Sequence, residues 1–202
     1  MLNNLNIVIA GLGTVGTSTI KLIEKNKKIF SLKSSLKINI VGIFAKNKSK
    51  KRNFDKKKYK WFNDPIKMIN QKNVDLVIEL IGGNKGIAKK ICYESIKRKK
   101  NLITANKALI ADDGYNLAKL AEENNVKIGY EASVAGGIPI ISTLKRNFSG
   151  FSINKISGIL NGTSNYILTN MLKEKNEFNV SLKNAQNLGY AEQKPENDLN
   201  GL

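Results

Sequence analysis

The order strand, glycine turn, helix in residues 5–23, LNIVIAGLGTVGTSTIKLI, constrains this chain more than any other stretch. The apolar run 5–10 reads as a buried strand, and Gly11, Gly13 and Gly16 follow it at once. Val15, Ile20 and Ile23 then fall on a helical pattern. In such a unit each glycine has its own task. Gly11 makes the tight turn, Gly13 lets backbone approach a pyrophosphate, and Gly16 lets helix and strand pack closely. The free N–H groups and positive dipole end of the helix face the phosphates. Gly11, Gly13, Thr14, Val15 and Gly16 are therefore candidate cofactor contacts. An ordinary glycine-rich turn could use the same residues, but the order of the three pieces favours a dinucleotide.

Beyond the first helix, residues 38–44 (INIVGIF) read as a second buried strand. A fold selective for NAD would close this strand with an acid for the ribose hydroxyls. Here it ends Phe44-Ala45-Lys46-Asn47, and Lys46 suits a 2′-phosphate instead, which favours NADP. The alternative is that Lys46 belongs to the solvated basic run 46–60, KNKSKKRNFDKKKYK. Asp64-Pro65 reads as an N-cap with proline in the first turn of a short helix, 66–70. Residues 74–80 (VDLVIEL) form the next buried strand and end at Ile81-Gly82-Gly83, where ligands bind in open α/β sheets. A helix over 85–100, a short strand 101–104, a helix from Asp112-Asp113 to about 124 and a strand 126–130 complete the alternation. That alternation means a parallel, doubly wound sheet.

The pattern changes near Tyr130, which marks the expected domain boundary: 1–130 as the nucleotide-binding domain and 131–202 as the beginning of a second domain. There a glycine-rich turn, 131–139, opens a helix to about 145, and 151–160 alternates as a strand. Helices are expected over 165–175 and 182–188, followed by a polar, acidic end, 189–202.

Composition narrows the function. With 202 residues there is room for one domain and part of another. No apolar run approaches the roughly 18 residues that span a bilayer, and a strand beginning this early leaves no room for a signal peptide. The single cysteine, Cys92, excludes an internal disulfide and argues for a reducing compartment, hence the cytoplasm. Lys+Arg 34 against Asp+Glu 16 gives a net charge of +18, enough to attract nucleic acid. The lysines are spread along the chain, however, so a lysine-biased solvated surface is expected, with neither nucleic acid nor membrane as partner. Histidine is absent, which leaves acid–base chemistry to Lys, Asp, Glu, Tyr or Cys.

Six blocks in order, GLGTVG (11–16), ELIGG (79–83), TANKALIA (104–111), YEASVAGGIPII (130–141), GILNGTSNYIL (158–168) and LGYAEQKPENDLNG (188–201), resemble the homoserine dehydrogenase family. The resemblance implies a Rossmann-type sheet followed by the start of an α+β substrate and dimerisation domain. It also implies an NAD(P)-dependent oxidoreductase that interconverts aspartate semialdehyde and homoserine, in threonine, methionine and isoleucine biosynthesis, as a homodimer. Lys107 resembles the lysine beside nicotinamide and substrate. A lysine at a strand's carboxyl end, partly desolvated, is a reasonable proton-transfer group. Glu131, with the main-chain carbonyls of Val134, Gly136 and Ile138, resembles a site for a monovalent cation, sodium by expectation. From the residues alone, Glu131 is a cap for the helix that follows. Glu192 and Asp198 resemble carboxylates at the substrate end, natural partners of an ammonium group. The substrate carboxylate would sit near Gly162 and Thr163, where a helix starts. Gly189 matches a glycine close to the cofactor.

The chain departs from the family at Lys194-Pro195, where Asp-Pro is usual. The family pattern also runs past Leu202, with an Asp as the next residue and a proton-donor Lys four further on. The expectation is a C-terminally truncated member, with a nucleotide-binding remnant that lacks activity as the alternative.

Overall fold

The computed structural model describes residues 3–159, 161–191 and 195–200. Strand β1 (Asn3–Ala10) shows why the sheet is central: Ile7 and Ile9 enter one apolar cluster while Val8 and Ala10 enter another on the opposite face. Side chains alternate across a strand, so an unbroken apolar run buries both faces. Helix α1 (Thr14–Ser34) covers the first face with Ile20 and Ile23. The other face receives Met68 and Ile69 of α2 (Pro65–Ile69), Ile91, Cys92 and Ile96 of α3 (Ile87–Lys97), and Leu109 and Leu117 of α4 (Lys107–Glu123).

The remaining strands are β2 (Leu36–Phe44), β3 (Trp61–Phe62), β4 (Leu76–Glu79), β5 (Asn101–Thr104) and β6 (Ile128–Gly129). All pair in parallel in the order β3-β2-β1-β4-β5-β6. The chain leaves β1 to one side for β2 and later returns to its other side with β4. The carboxyl ends of β1 and β4 therefore flank the crevice where such sheets bind ligands. This is the expected Rossmann-type sheet, with β3 added by the structure.

By contacts, the chain divides into a unit of residues 1–149 and a unit of residues 150–202. The first unit also holds α5 (Ile140–Asn147), preceded by two short 3₁₀ turns at Glu131–Ser133 and Ala135–Gly137. The second contains α6 (Gly162–Glu174), α7 (Phe178–Asn187) and α8 (Glu196–Asn200), with a small core of Ile167, Ala185 and Ala191.

The start of α4 and the segment after α5 depart from the sequence reading for identifiable reasons. Helix α4 begins at Lys107, five residues before Asp112, because Asn106 caps it: the Leu109 N–H donates to Asn106 Oδ1 at 3.1 Å. Residues 151–159, expected as a strand, form no ladder. A strand needs a neighbour for its N–H and C=O groups, and none of the described residues of the second unit is a strand. Its Ile153, Ile156 and Ile159 are exposed.

Candidate functional site

The glycine turn is built around close backbone approach. The Leu80 N–H donates to Ala10 O at 2.7 Å and the Gly11 N–H to Phe44 O at 2.9 Å, so the turn is stitched to β4 and β2. Gly11 has φ +102°, and a Cβ there would lie 2.4 Å from Leu80 backbone. A Cβ on Gly16 would lie 1.9 Å from the Gly11 carbonyl oxygen. Gly13 is the N-cap of α1, provides no side-chain cap, and would meet nothing within 4 Å if it carried a Cβ. The first turn of α1 holds no acid. Its N–H groups are thus offered beside open space with nothing to repel an anion, while Thr14 and Val15 stand exposed in that turn. The residues fit a bound pyrophosphate.

Lys46 lies exposed just past β2. Sequence reasoning passed over its neighbour Arg52, which is half-buried. The Arg52 Nε donates to the Leu12 carbonyl of the glycine turn at 3.0 Å, and the other guanidinium nitrogens donate to Asn47 O at 2.8 Å and Lys50 O at 3.0 Å. Its guanidinium lies 5.5 Å from the centre of the Trp61 ring. Arg52 therefore folds the basic loop onto the cofactor turn. The available signal was a lone arginine in a lysine run; the planar fork suits phosphate where lysine is a point charge.

At the carboxyl ends of β4 and β5, Glu79 is fully buried. Its Oε1 accepts from Ile81 N at 2.6 Å and Gly82 N at 3.2 Å, and its Oε2 accepts from the Thr104 hydroxyl at 2.7 Å. Asn106 Nδ2 donates to Gly83 O at 2.7 Å. Lys107, the next residue, opens α4. The partial desolvation expected of it is not observed: Lys107 is exposed, because the buried face of α4 runs instead through Leu109, Asp113 and Leu117.

The Glu131 carboxylate caps α5, accepting from Ile141 N at 3.0 Å and Ser142 N at 2.8 Å. The backbone that follows is left-handed at Ala135, Gly136 and Gly137, so the carbonyls of Val134, Gly136 and Ile138 come from an irregular turn. Carboxylate and carbonyl oxygens are the donor chemistry that suits a hard cation, and of these the Ile138 carbonyl already accepts from Ile140 N at 2.8 Å.

In the second unit Asn161 caps α6, its Oδ1 accepting from Ser164 N at 3.0 Å, while its Nδ2 donates to the Asp198 carbonyl at 2.8 Å. The Ser164 hydroxyl donates to the same carbonyl at 2.9 Å. The buried Thr163 hydroxyl lies 2.6 Å from Tyr190 O and 3.3 Å from Asp198 Oδ2. Gly162, Thr163 and Asp198 are therefore brought together, with Gly189 (φ +78°) in the turn after α7. Glu192 and Lys194 lie outside the described residues.

Comparison with known proteins agrees with this geometry. Residues 11–131 match the family model described as homoserine dehydrogenase, NAD binding domain, and residues 139–202 match that described as homoserine dehydrogenase. The homoserine dehydrogenase of Bacillus subtilis (strain 168) is 40% identical over 198 residues, 98% of this chain and 46% of the relative. The crystal structure of S. aureus homoserine dehydrogenase at pH 7.5 superposes with a TM-score of 0.80 at 38% identity, covering 98% of this chain and 46% of that one. A hyperthermophilic archaeal homoserine dehydrogenase in complex with NADPH gives 0.82 at 25% identity, covering 98% and 65%. The chain spans about half the length of the curated relatives it matches. On these matches the chain belongs to the homoserine dehydrogenase family.

Proposed function

We propose that this chain serves NADP-dependent homoserine dehydrogenase chemistry, the interconversion of aspartate semialdehyde and homoserine. The observation that carries the reading is the open cradle at Gly13, stitched into the crevice between β1 and β4 of a chain of this family. The first turn of α1 holds the pyrophosphate, and Lys46 and Arg52 receive the 2′-phosphate. A nicotinamide cofactor held there would supply the hydride chemistry that links aldehyde and alcohol. Lys107, at the start of α4, stands beside nicotinamide and substrate, while the proton exchanged with the substrate oxygen is the task of the lysine that the family pattern places past Leu202. Asp198 and Glu192 meet the substrate ammonium, and N–H groups at Gly162 and Thr163 meet its carboxylate. Gly189 serves the cofactor. Glu131, with the carbonyls of Val134, Gly136 and Ile138, would hold a monovalent cation, sodium by preference, and keep the loop after β6 in shape.

On this reading residues 1–130 bind cofactor and residues 131–202 begin the substrate domain. The working assembly is a cytoplasmic homodimer, a reading supported by the exposed apolar residues Ile156, Ile159, Leu168 and Leu172 of the second unit. Titration of the purified chain with NADPH and NADH, followed by nicotinamide fluorescence, tests the cofactor half. Consumption of NADPH on adding aspartate semialdehyde tests the reaction. Binding of NADPH ahead of NADH is expected; a chain that binds neither would sink the reading.

A further inference from the structure

Glu79 is a charged residue type at the end of a strand whose neighbours are apolar, fully buried, and used by none of the steps above. Both carboxylate oxygens accept hydrogen bonds, three in all, from two backbone N–H groups and one hydroxyl. An acceptor on every bond is the role of an ionised carboxylate, and bonds to a charged acceptor are the stronger kind. The donors come from two different walls. Ile81 and Gly82 belong to the loop after β4; Thr104 ends β5 and leads within three residues into Lys107.

The same two walls are joined twice more. The Ala105 N–H donates to the Glu79 carbonyl at 3.3 Å, and Asn106 donates to Gly83 O at 2.7 Å. Thr104 Oγ1 in turn accepts from Asn106 N at 3.0 Å, so the carboxylate's hold passes through the hydroxyl to the cap of α4. The network ends at the helix whose first residue is Lys107.

We propose that Glu79 is a positioning residue: its buried carboxylate ties the loop Ile81–Gly83 to the segment Thr104–Lys107 and sets the gap that receives the nicotinamide half of the cofactor. The inference rests on the reading of this crevice as a cofactor site. It gives the carboxylate no contact with adenosine, pyrophosphate or substrate.

The test compares NADPH with adenosine 2′,5′-bisphosphate, which carries only the adenosine half. Binding is measured for the parent chain, Glu79→Gln, Thr104→Val and Thr104→Ser. Loss of one bond to a charged acceptor is expected to weaken NADPH about tenfold in Glu79→Gln and Thr104→Val. Adenosine 2′,5′-bisphosphate should bind all four chains alike, and Thr104→Ser, which keeps the hydroxyl, should bind NADPH as the parent does. Equal loss of both ligands in the variants would mean a structural role only and would overturn the proposal, as would unchanged NADPH binding. Failure of the parent itself to bind either ligand would overturn the cofactor reading, a separate result. Should Glu79→Gln not fold, the Thr104 pair decides by the same comparison.

Discussion

Alanine at Gly13 and alanine at Gly16 should separate cofactor binding from stability. At Gly16 the added Cβ would lie 1.9 Å from the Gly11 carbonyl oxygen and 2.9 Å from its carbonyl carbon. Both are backbone atoms, and no side-chain rotamer can relieve the contact, so α1 must back away from the turn. Overpacking costs about 1–3 kcal/mol, and a backbone clash belongs at the upper end. At about 3 kcal/mol the melting temperature of a unit this size falls by roughly 6–12 °C. At Gly13, by contrast, φ is −77° and the new Cβ meets nothing within 4 Å. Stiffening of the unfolded chain favours alanine, and loss of the better capping residue disfavours it, so stability stays within about 0.5 kcal/mol of the parent. The methyl does, however, stand where the pyrophosphate must approach the N–H groups of α1. Loss of a single charge-assisted bond there weakens NADPH about tenfold or more. Thermal melting and a fluorescence titration with NADPH on the two variants decide it. If Gly13→Ala melted as early as Gly16→Ala, or bound NADPH within about twofold of the parent, the reasoning would be refuted.

Asn106→Ala removes the cap of α4 and the donor to Gly83 O together, and should cost about 2 kcal/mol, seen as a lower denaturation midpoint with an unchanged slope. The Tyr93 hydroxyl at 2.6 Å, Asn116 at 2.8 Å and Lys89 at 3.0 Å hold the Asp113 carboxyl down from its ordinary 3.8 to about 2. A folded value below the ordinary one means stability that is present above pH 3.8 and lost as pH falls toward 2. Asp113→Asn should flatten the acid limb of the stability curve by about 1 kcal/mol over that window, read by denaturation at several pH values. Arg52→Ala should weaken NADPH about tenfold and NADH by a smaller factor in parallel titrations, since Arg52 both faces the 2′-phosphate and holds the Leu12 carbonyl of the glycine turn. Sodium chloride should raise the melting temperature of the parent above that in choline chloride at equal ionic strength, and Glu131→Gln should abolish the difference; an equal response to both salts would remove the cation from the loop after β6.

What could be read from the sequence follows from where the physics is local. Buried parallel strands are continuous apolar runs, so β1, β2 and β4 stand out from their surroundings. The glycine turn is legible for the same reason: Gly11 and Gly16 are demanded by contacts within one short turn and the strand it meets. Strand β3 is only Trp61–Phe62, too short to show a period. The start of α4 was misplaced because Asp112-Asp113 resembles a helix start, whereas Asp113 belongs to Tyr93 and Lys89 of α3, and the cap is Asn106. Residues 151–159 alternate like a strand, but alternation supplies side chains for a sheet and not the partner that makes one.

The site residues that escaped notice share a different cause. Arg52 acquires its meaning from a carbonyl 40 residues away, at Leu12, and Glu79 from a hydroxyl 25 residues away, at Thr104. No pattern within a strand or a helix reports such a pairing. A local trace was nonetheless present in each, a lone arginine among lysines and a carboxylate at the end of the run VDLVIEL. Both break the rule of their surroundings. A solvated loop gains nothing from exchanging one cation for another, and a buried strand end loses several kcal/mol by holding an uncompensated charge, more than one ordinary hydrogen bond returns. Such breaks persist where something else holds them, here the cofactor turn in one case and the two walls of its crevice in the other. The glycine turn thus marks the place, and the two misfit charges on either side of it mark the residues that shape it.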